Sequence, residues 1–138
     1  MTTYVPEALR RKIVERANDR CEYCLVHQDD RFFAHEIDHV RAEKHQGQTA
    51  EDNLSLACAE CNRFKGSDLC SFDIVTDTVV PLYHPRLNRW TEHFRLNGAL
   101  IEPLTPAGRV TAFLLHLNDA DTIDRRRLLI ATGRYPRF

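Results

Sequence analysis

Apolar residues recur at helical spacing near the start of the chain. Leu9, Ile13 and Ala17 stand four apart behind Pro6, a residue suited to a first helical turn, so the pattern predicts an amphipathic helix over residues 6–18. The pattern changes at 31–40, where Arg-Phe-Phe-Ala-His-Glu-Ile-Asp-His-Val mixes aromatic and β-branched residues with polar ones and predicts a strand. Residues 41–52 are polar around Gly47 and read as a loop. Leu54, Leu56 and Cys58 then alternate with small or polar neighbours, as in a returning strand, so a long-looped hairpin is expected. After Cys61, residues 62–67 predict a short helix that closes near Gly66.

Beyond residue 70 the signal is more broken. Strand-like runs at 72–80 and 93–104 are separated by Pro81, Pro85 and the segment around Asn88, with Trp90 and Phe94 as core candidates. Thr105 and Pro106 make an N-cap and first helical residue, and Val110, Phe113, Leu114 and Leu117 follow at i, i+3, i+4 and i+7, predicting a helix over 106–118. Another is expected from Asp121 to Ala131, ending near Gly133. The sum is an α+β fold, expected as a single domain over 1–138.

Composition narrows the classes. With 43% hydrophobic and 28% charged residues, 138 residues can bury a real core, which excludes a disordered chain. No apolar run approaches the ~20 residues of a membrane span. The N-terminus has neither the basic nor the apolar region of a secretory signal, so a cytoplasmic location without membrane attachment is expected. The formal net charge of −1 excludes a binder that grips nucleic acid by overall charge, and any such grip must come from local basic patches.

Five cysteines are an odd count, and four of them form two Cys-x-x-Cys pairs, Cys21/Cys24 and Cys58/Cys61, leaving Cys70 alone. In a reducing compartment this favours a metal over disulfides. Two residues between paired cysteines let both sulfurs converge on one tetrahedral ion, and two such knuckles close a four-coordinate shell around a structural Zn²⁺. The long interval between the pairs requires the hairpin to bring them together.

The series Cys21-x-x-Cys24, Glu36-Ile37-Asp38-His39-Val40, Asn53-Leu54 and Cys58-x-x-Cys61-Asn62-x-x-Lys65-Gly66 resembles the HNH endonuclease family in its four-cysteine form. It is similar especially to small bacterial HNH proteins whose motif continues into Val80-Pro81-Leu82, Pro85-Arg86 and Trp90-x-x-His93-Phe94. The family often carries a Gly-Gly pair in the loop, where this chain has His45-Gln46-Gly47-Gln48. The resemblance implies a ββα metal-binding core at 21–67 with a four-cysteine zinc site, flanked by the N-terminal helix and by C-terminal strands and helices over 68–138. It implies cleavage of DNA to 5′-phosphate and 3′-hydroxyl ends, and it makes Asn53 the middle residue of the motif, its backbone carbonyl fixing the His39 tautomer.

The residue types suit that chemistry. A neutral imidazole is poised near pH 7 to take a proton from water, which makes His39 the expected general base. The hard carboxylate of Asp38 and the amide oxygen of Asn62 suit Mg²⁺ or Mn²⁺, an ion that would stabilise charge on the leaving oxygen. Arg63 and Lys65 are expected to contact phosphates. Other readings stand beside these. His35 shares a strand face with His39 if alternation holds, and is the alternative base. Asn53 is equally a turn residue, and Arg125-Arg126-Arg127 suits a solvated helix face. The rival function is a zinc-dependent nucleic-acid-binding module without cleavage; a third is a protein-interaction domain of a larger defence or toxin system. No recognition helix is evident, so a protein partner supplying specificity is an open expectation, and the oligomeric state is not readable.

Overall fold

A computed structural model describes residues 4–137. Helix α1 (Glu7–Arg16) starts one residue later than expected, with Pro6 as its N-cap, and stops because Asn18 and Asp19 take left-handed backbone conformations that these residue types tolerate. Its inward stripe buries Ile13 and Ala17 against Leu54 and Leu56.

The predicted strand over 31–40 is shorter in the structure. Strand β1 (Glu36–His39) pairs antiparallel with β2 (Leu54–Ala57), Glu36 opposite Ala57 and His39 opposite Leu54. The next residue, Cys58, is already the N-cap of α2 (Ala59–Lys65), so nothing remains to pair with residues 31–35, which bend away and leave Phe32 and Phe33 exposed. Helix α2 in turn begins before Cys61 rather than after it. The Cys58 sulfur accepts from the Cys61 amide, capping the helix, and Gly66 ends it with φ +53°.

The C-terminal part contributes two hairpins and three helices. Strand β3 (Cys70–Asp73) pairs with β4 (Thr78–Pro81), and β5 (Phe94–Asn97) with β6 (Leu100–Pro103), so each predicted strand-like run contributes to a hairpin. Short α3 (Trp90–His93) precedes β5. Thr105 caps α4 (Pro106–Leu114) as its sequence predicts, its hydroxyl accepting from Gly108 N at 3.0 Å. That helix ends four residues early, where His116 takes a positive φ. Helix α5 (Ala120–Ala131) follows. One apolar cluster joins both parts, placing Cys21, Cys58 and Cys61 in contact with a core that includes Tyr83, Phe94, Ile101 and Leu117. Trp90 Nε1 donates to Tyr23 O and Tyr135 Oη to Cys24 O, each at 2.8 Å, so the C-terminal segment is stitched to the first knuckle. Among the described residues no helix is long and apolar enough to cross a membrane.

Candidate active site and zinc cage

The first knuckle is a tight loop in which Cys21 N donates to Val26 O, Leu25 N to Cys21 O, and Cys24 N to Cys21 Sγ. The second is the N-terminus of α2. Their four sulfurs, all buried, lie within 4.8 Å of one another. Burial pushes the Cys21 thiol well above its ordinary value and contacts with the other cage sulfurs push Cys61 up, while the same contacts pull Cys58 down, so the sulfurs share their protons and all four can be thiolates together only with a cation among them. Donor type, number and closeness fit a structural zinc site with no open position. Cys70 stands apart and exposed.

Asn62 and Lys65 occupy the helix that this cage anchors. Asn62 Nδ2 donates to Glu36 Oε1 at 2.8 Å, and one turn later Lys65 Nζ reaches Asp38 Oδ1 at 3.2 Å, so α2 lies along β1 through two paired contacts. Asp38 and His39 are neighbours on β1 and therefore face opposite ways. Asp38 is enclosed on the α2 side, where Tyr23 Oη donates to Oδ2 at 2.8 Å and Ser55 Oγ at 3.4 Å. Burial holds its carboxyl above the ordinary range, against the pull of Lys65 and Tyr23.

Lys65 and Asp38 face each other here rather than solvent. Lys65 does not face a phosphate; its ammonium is enclosed between Asp38 and the His39 carbonyl. Asp38, expected to hold a divalent ion, has its oxygens occupied by Lys65, Tyr23 and Ser55 and lies almost out of solvent. Asn62 is partly open, with its amide nitrogen on Glu36.

His39 faces the long loop. Its Nε2 lies 2.9 Å from Thr49 Oγ1 and 3.9 Å from Glu43 Oε1. Asn53 shapes this loop by a route the sequence reading did not contain. Its carbonyl accepts from Val40 N rather than from the His39 ring, while its side chain accepts from Arg41 N and donates to Arg41 O and Gln48 O at 2.8–2.9 Å. The loop closes so tightly that a Cβ on Gly47 would lie 1.7 Å from Arg41 O. A Gly among polar residues after the Asp-His strand was the available signal for that closure.

The remaining candidates separate. His35 is buried away from His39, with Nε2 2.9 Å from Val26 O, and burial lowers its pKa. Arg63 is exposed, with its guanidinium 4.9 Å from the Phe64 ring centroid. Arg126, expected on a solvated face, is buried and donates to Ala99 O and Leu117 O at 2.7 Å, while Arg125 and Arg127 stay outside.

Cage, hairpin and helix thus follow one another in the order of the motif. Residues 21–68 match the family model HNH endonuclease. The chain is also 24% identical over 122 residues to Septu protein PtuB of Bacillus thuringiensis, an alignment covering 87% of this chain and 45% of that protein. The chain therefore spans less than half the length of that relative. No solved structure matches it significantly. The HNH segment ends just after α2, so β3 to α5 lie outside the family match.

Proposed function

We propose that the HNH segment hydrolyses phosphodiester bonds in DNA, with His39 as general base, leaving 5′-phosphate and 3′-hydroxyl ends. The observation that carries this reading is the placement of His39 at the end of the strand that α2 and the cage fix, under a loop closed by Asn53 and held by Thr49 at 2.9 Å. In the step, His39 takes a proton from water, the water oxygen bonds to phosphorus, and the bond to the 3′ oxygen breaks, that oxygen leaving with a proton from solvent. Glu43, 3.9 Å from the ring, compensates the imidazolium that forms. A divalent ion, Mg²⁺ or Mn²⁺, supplies charge compensation for the phosphate when bound. Asn62 is its accessible oxygen ligand, and Asp38 joins only where Lys65 gives way. Asn53 is a positioning residue in this reading, and Arg63 contacts a flanking phosphate.

The enclosure of Asp38 by Lys65 favours a second reading, a zinc-dependent module that binds nucleic acid without cutting. Incubating purified protein with supercoiled plasmid and Mg²⁺ or Mn²⁺ separates the two. The expected result is nicking by the parent and a loss of about 10²–10⁴-fold in His39→Ala at unchanged zinc content. Plasmid bound but never nicked by the parent supports the second reading.

A further inference from the structure

The bend at residues 31–35 leaves two aromatic rings in water. Phe32 is 94% exposed and Phe33 67%, and their rings meet edge to face with centroids 5.0 Å apart, so each keeps an open π-face. They form one wall of a groove of about 350 Å³, floored by Ala59, Glu60 and Arg63 of α2 and closed opposite by Arg125 of α5. That volume lies in the range of ligand sites.

The rim is basic although the chain is not. Glu60 is shared between Arg31 at 2.7 Å and Arg125 at 2.9 Å. Asp30, fully enclosed, is covered by Arg134 and Arg137, each at 3.2 Å. Arg63 adds a further guanidinium to the lining, with no carboxylate partner among the described residues. Three guanidinium groups, of Arg31, Arg63 and Arg125, thus line the groove against two carboxylates, and Asp30 is further neutralised by Arg134 and Arg137, in a chain of net charge −1.

Open aromatic faces within a cationic rim are the combination that holds unpaired nucleic-acid strands, bases stacking on the rings while guanidinium groups take the phosphates. We infer that Phe32 and Phe33, with Arg63, form a stacking platform for unpaired nucleobases along α2. The inference rests on the proposed nuclease reading for its orientation. Arg63, which lines the groove, follows Asn62 on α2, so the platform meets the proposed site through that helix. A paired duplex hides its base faces, so the platform selects single-stranded or splayed substrate over intact duplex.

Equilibrium binding of the whole protein to fluorescent oligothymidylate, without added Mg²⁺, tests the platform apart from cleavage. Its comparison probes are the ribo-oligomer, a duplex, and an abasic oligomer of equal charge. The parent is expected to bind the base-bearing single strands more tightly than the duplex or the abasic strand. Phe32→Ala and Phe33→Ala should each lose about tenfold toward base-bearing strands and nothing toward the abasic one. Arg63→Ala should weaken both alike and reduce the salt slope by about one. The DNA and RNA arms identify which strand supplies the bases. Both rings are solvated, so the variants keep the fold, and circular dichroism with zinc content verifies this. Parent binding that is absent, or equal for base-bearing and abasic strands, overturns the platform. Unchanged affinity in both Phe variants also overturns it and assigns the rings to a protein contact. Ring-dependent binding by a parent that cuts no nucleic acid in Mg²⁺ leaves the platform standing and removes the nuclease reading instead.

Discussion

Lys65 Nζ lies 3.2 Å from Asp38 Oδ1 and 3.2 Å from the His39 carbonyl oxygen, with both side chains almost wholly out of solvent. Taking an ammonium and a carboxylate out of water is costly, and here the cost is offset by their mutual attraction and by hydrogen bonds from Tyr23 and Ser55 to the same carboxylate. The pair ties the C-terminal turn of α2 to β1 at the two residues that the HNH motif places next to each other.

Removing one partner leaves the other charge buried alone. Lys65→Ala and Asp38→Ala are each expected to destabilise the fold by about 3–5 kcal/mol, and the double replacement by Met and Asn by less than the two together. Lys12→Ala, which breaks an exposed pair with Glu51, should cost no more than about 1 kcal/mol. Urea unfolding of the four variants measures this. Loss of activity in Asp38→Ala is informative about metal binding only after its folded fraction is known.

The loop makes a second expectation. Asn53→Ala removes one acceptor and two donors at once, releasing Arg41 and Gln48 and with them the position of Thr49 against His39. The variant should keep zinc and the hairpin register, since Val40 N bonds to the backbone carbonyl of residue 53, which the substitution leaves in place. Plasmid nicking should fall by about 10-fold or more, the scale on which misplaced catalytic groups lose rate. Gly47→Ala should act in the same direction, because its Cβ has no room beside Arg41 O.

Some of this was legible in the sequence and some was not, for physical reasons. The cage was legible because cysteine pairs at metal-ligand spacing have few other uses, and the caps of α2 and α4 because Gly66 and Thr105-Pro106 carry backbone preferences of their own. The length of β1 was not, because a strand extends only as far as its partner. β2 ends where Cys58 must turn into the cage, and that constraint belongs to another part of the chain. The fate of Lys65 was hidden for a similar reason. Beside Arg63 on a short polar helix it reads as a solvent-facing cation, and only tertiary packing brings Asp38, Tyr23 and Ser55 around it. The role of Asn53 was assigned to its carbonyl by resemblance, while the side-chain bonds depend on a loop path that no local pattern encodes.

Zinc removal should undo the fold rather than a single site. The cage sulfurs are part of the apolar cluster that includes Tyr83, Phe94, Ile101 and Leu117, so an ion bound there would hold the HNH segment and the C-terminal hairpin together. Purified protein is expected to contain about one zinc, and Cys21→Ser or Cys58→Ser to unfold, because binding energy on the order of 10–16 kcal/mol in such sites exceeds a domain's net stability. Elemental analysis and circular dichroism before and after a strong chelator check this. Folded protein with almost no metal would refute the cage.

His35 supplies the pH dependence. Its ring is buried with Nε2 2.9 Å from Val26 O, and burial lowers its pKa against the pull of that carbonyl. In the unfolded chain the same imidazole titrates near ~6.5. The folded value lies lower, so between the two the unfolded chain binds more protons and stability rises with pH. The contribution is full above about pH 6.5 and is lost as pH falls toward the folded value. His35→Gln does not titrate and retains a donor for the Val26 carbonyl, so its stability should fall less over that window. Saturating zinc keeps the cage filled in both proteins, so the difference between parent and variant reports on His35 and its coupling to Cys58. Urea midpoints above and below about pH 6.5 measure it. Equal slopes for the two proteins would mean that His35 is not held neutral in the fold.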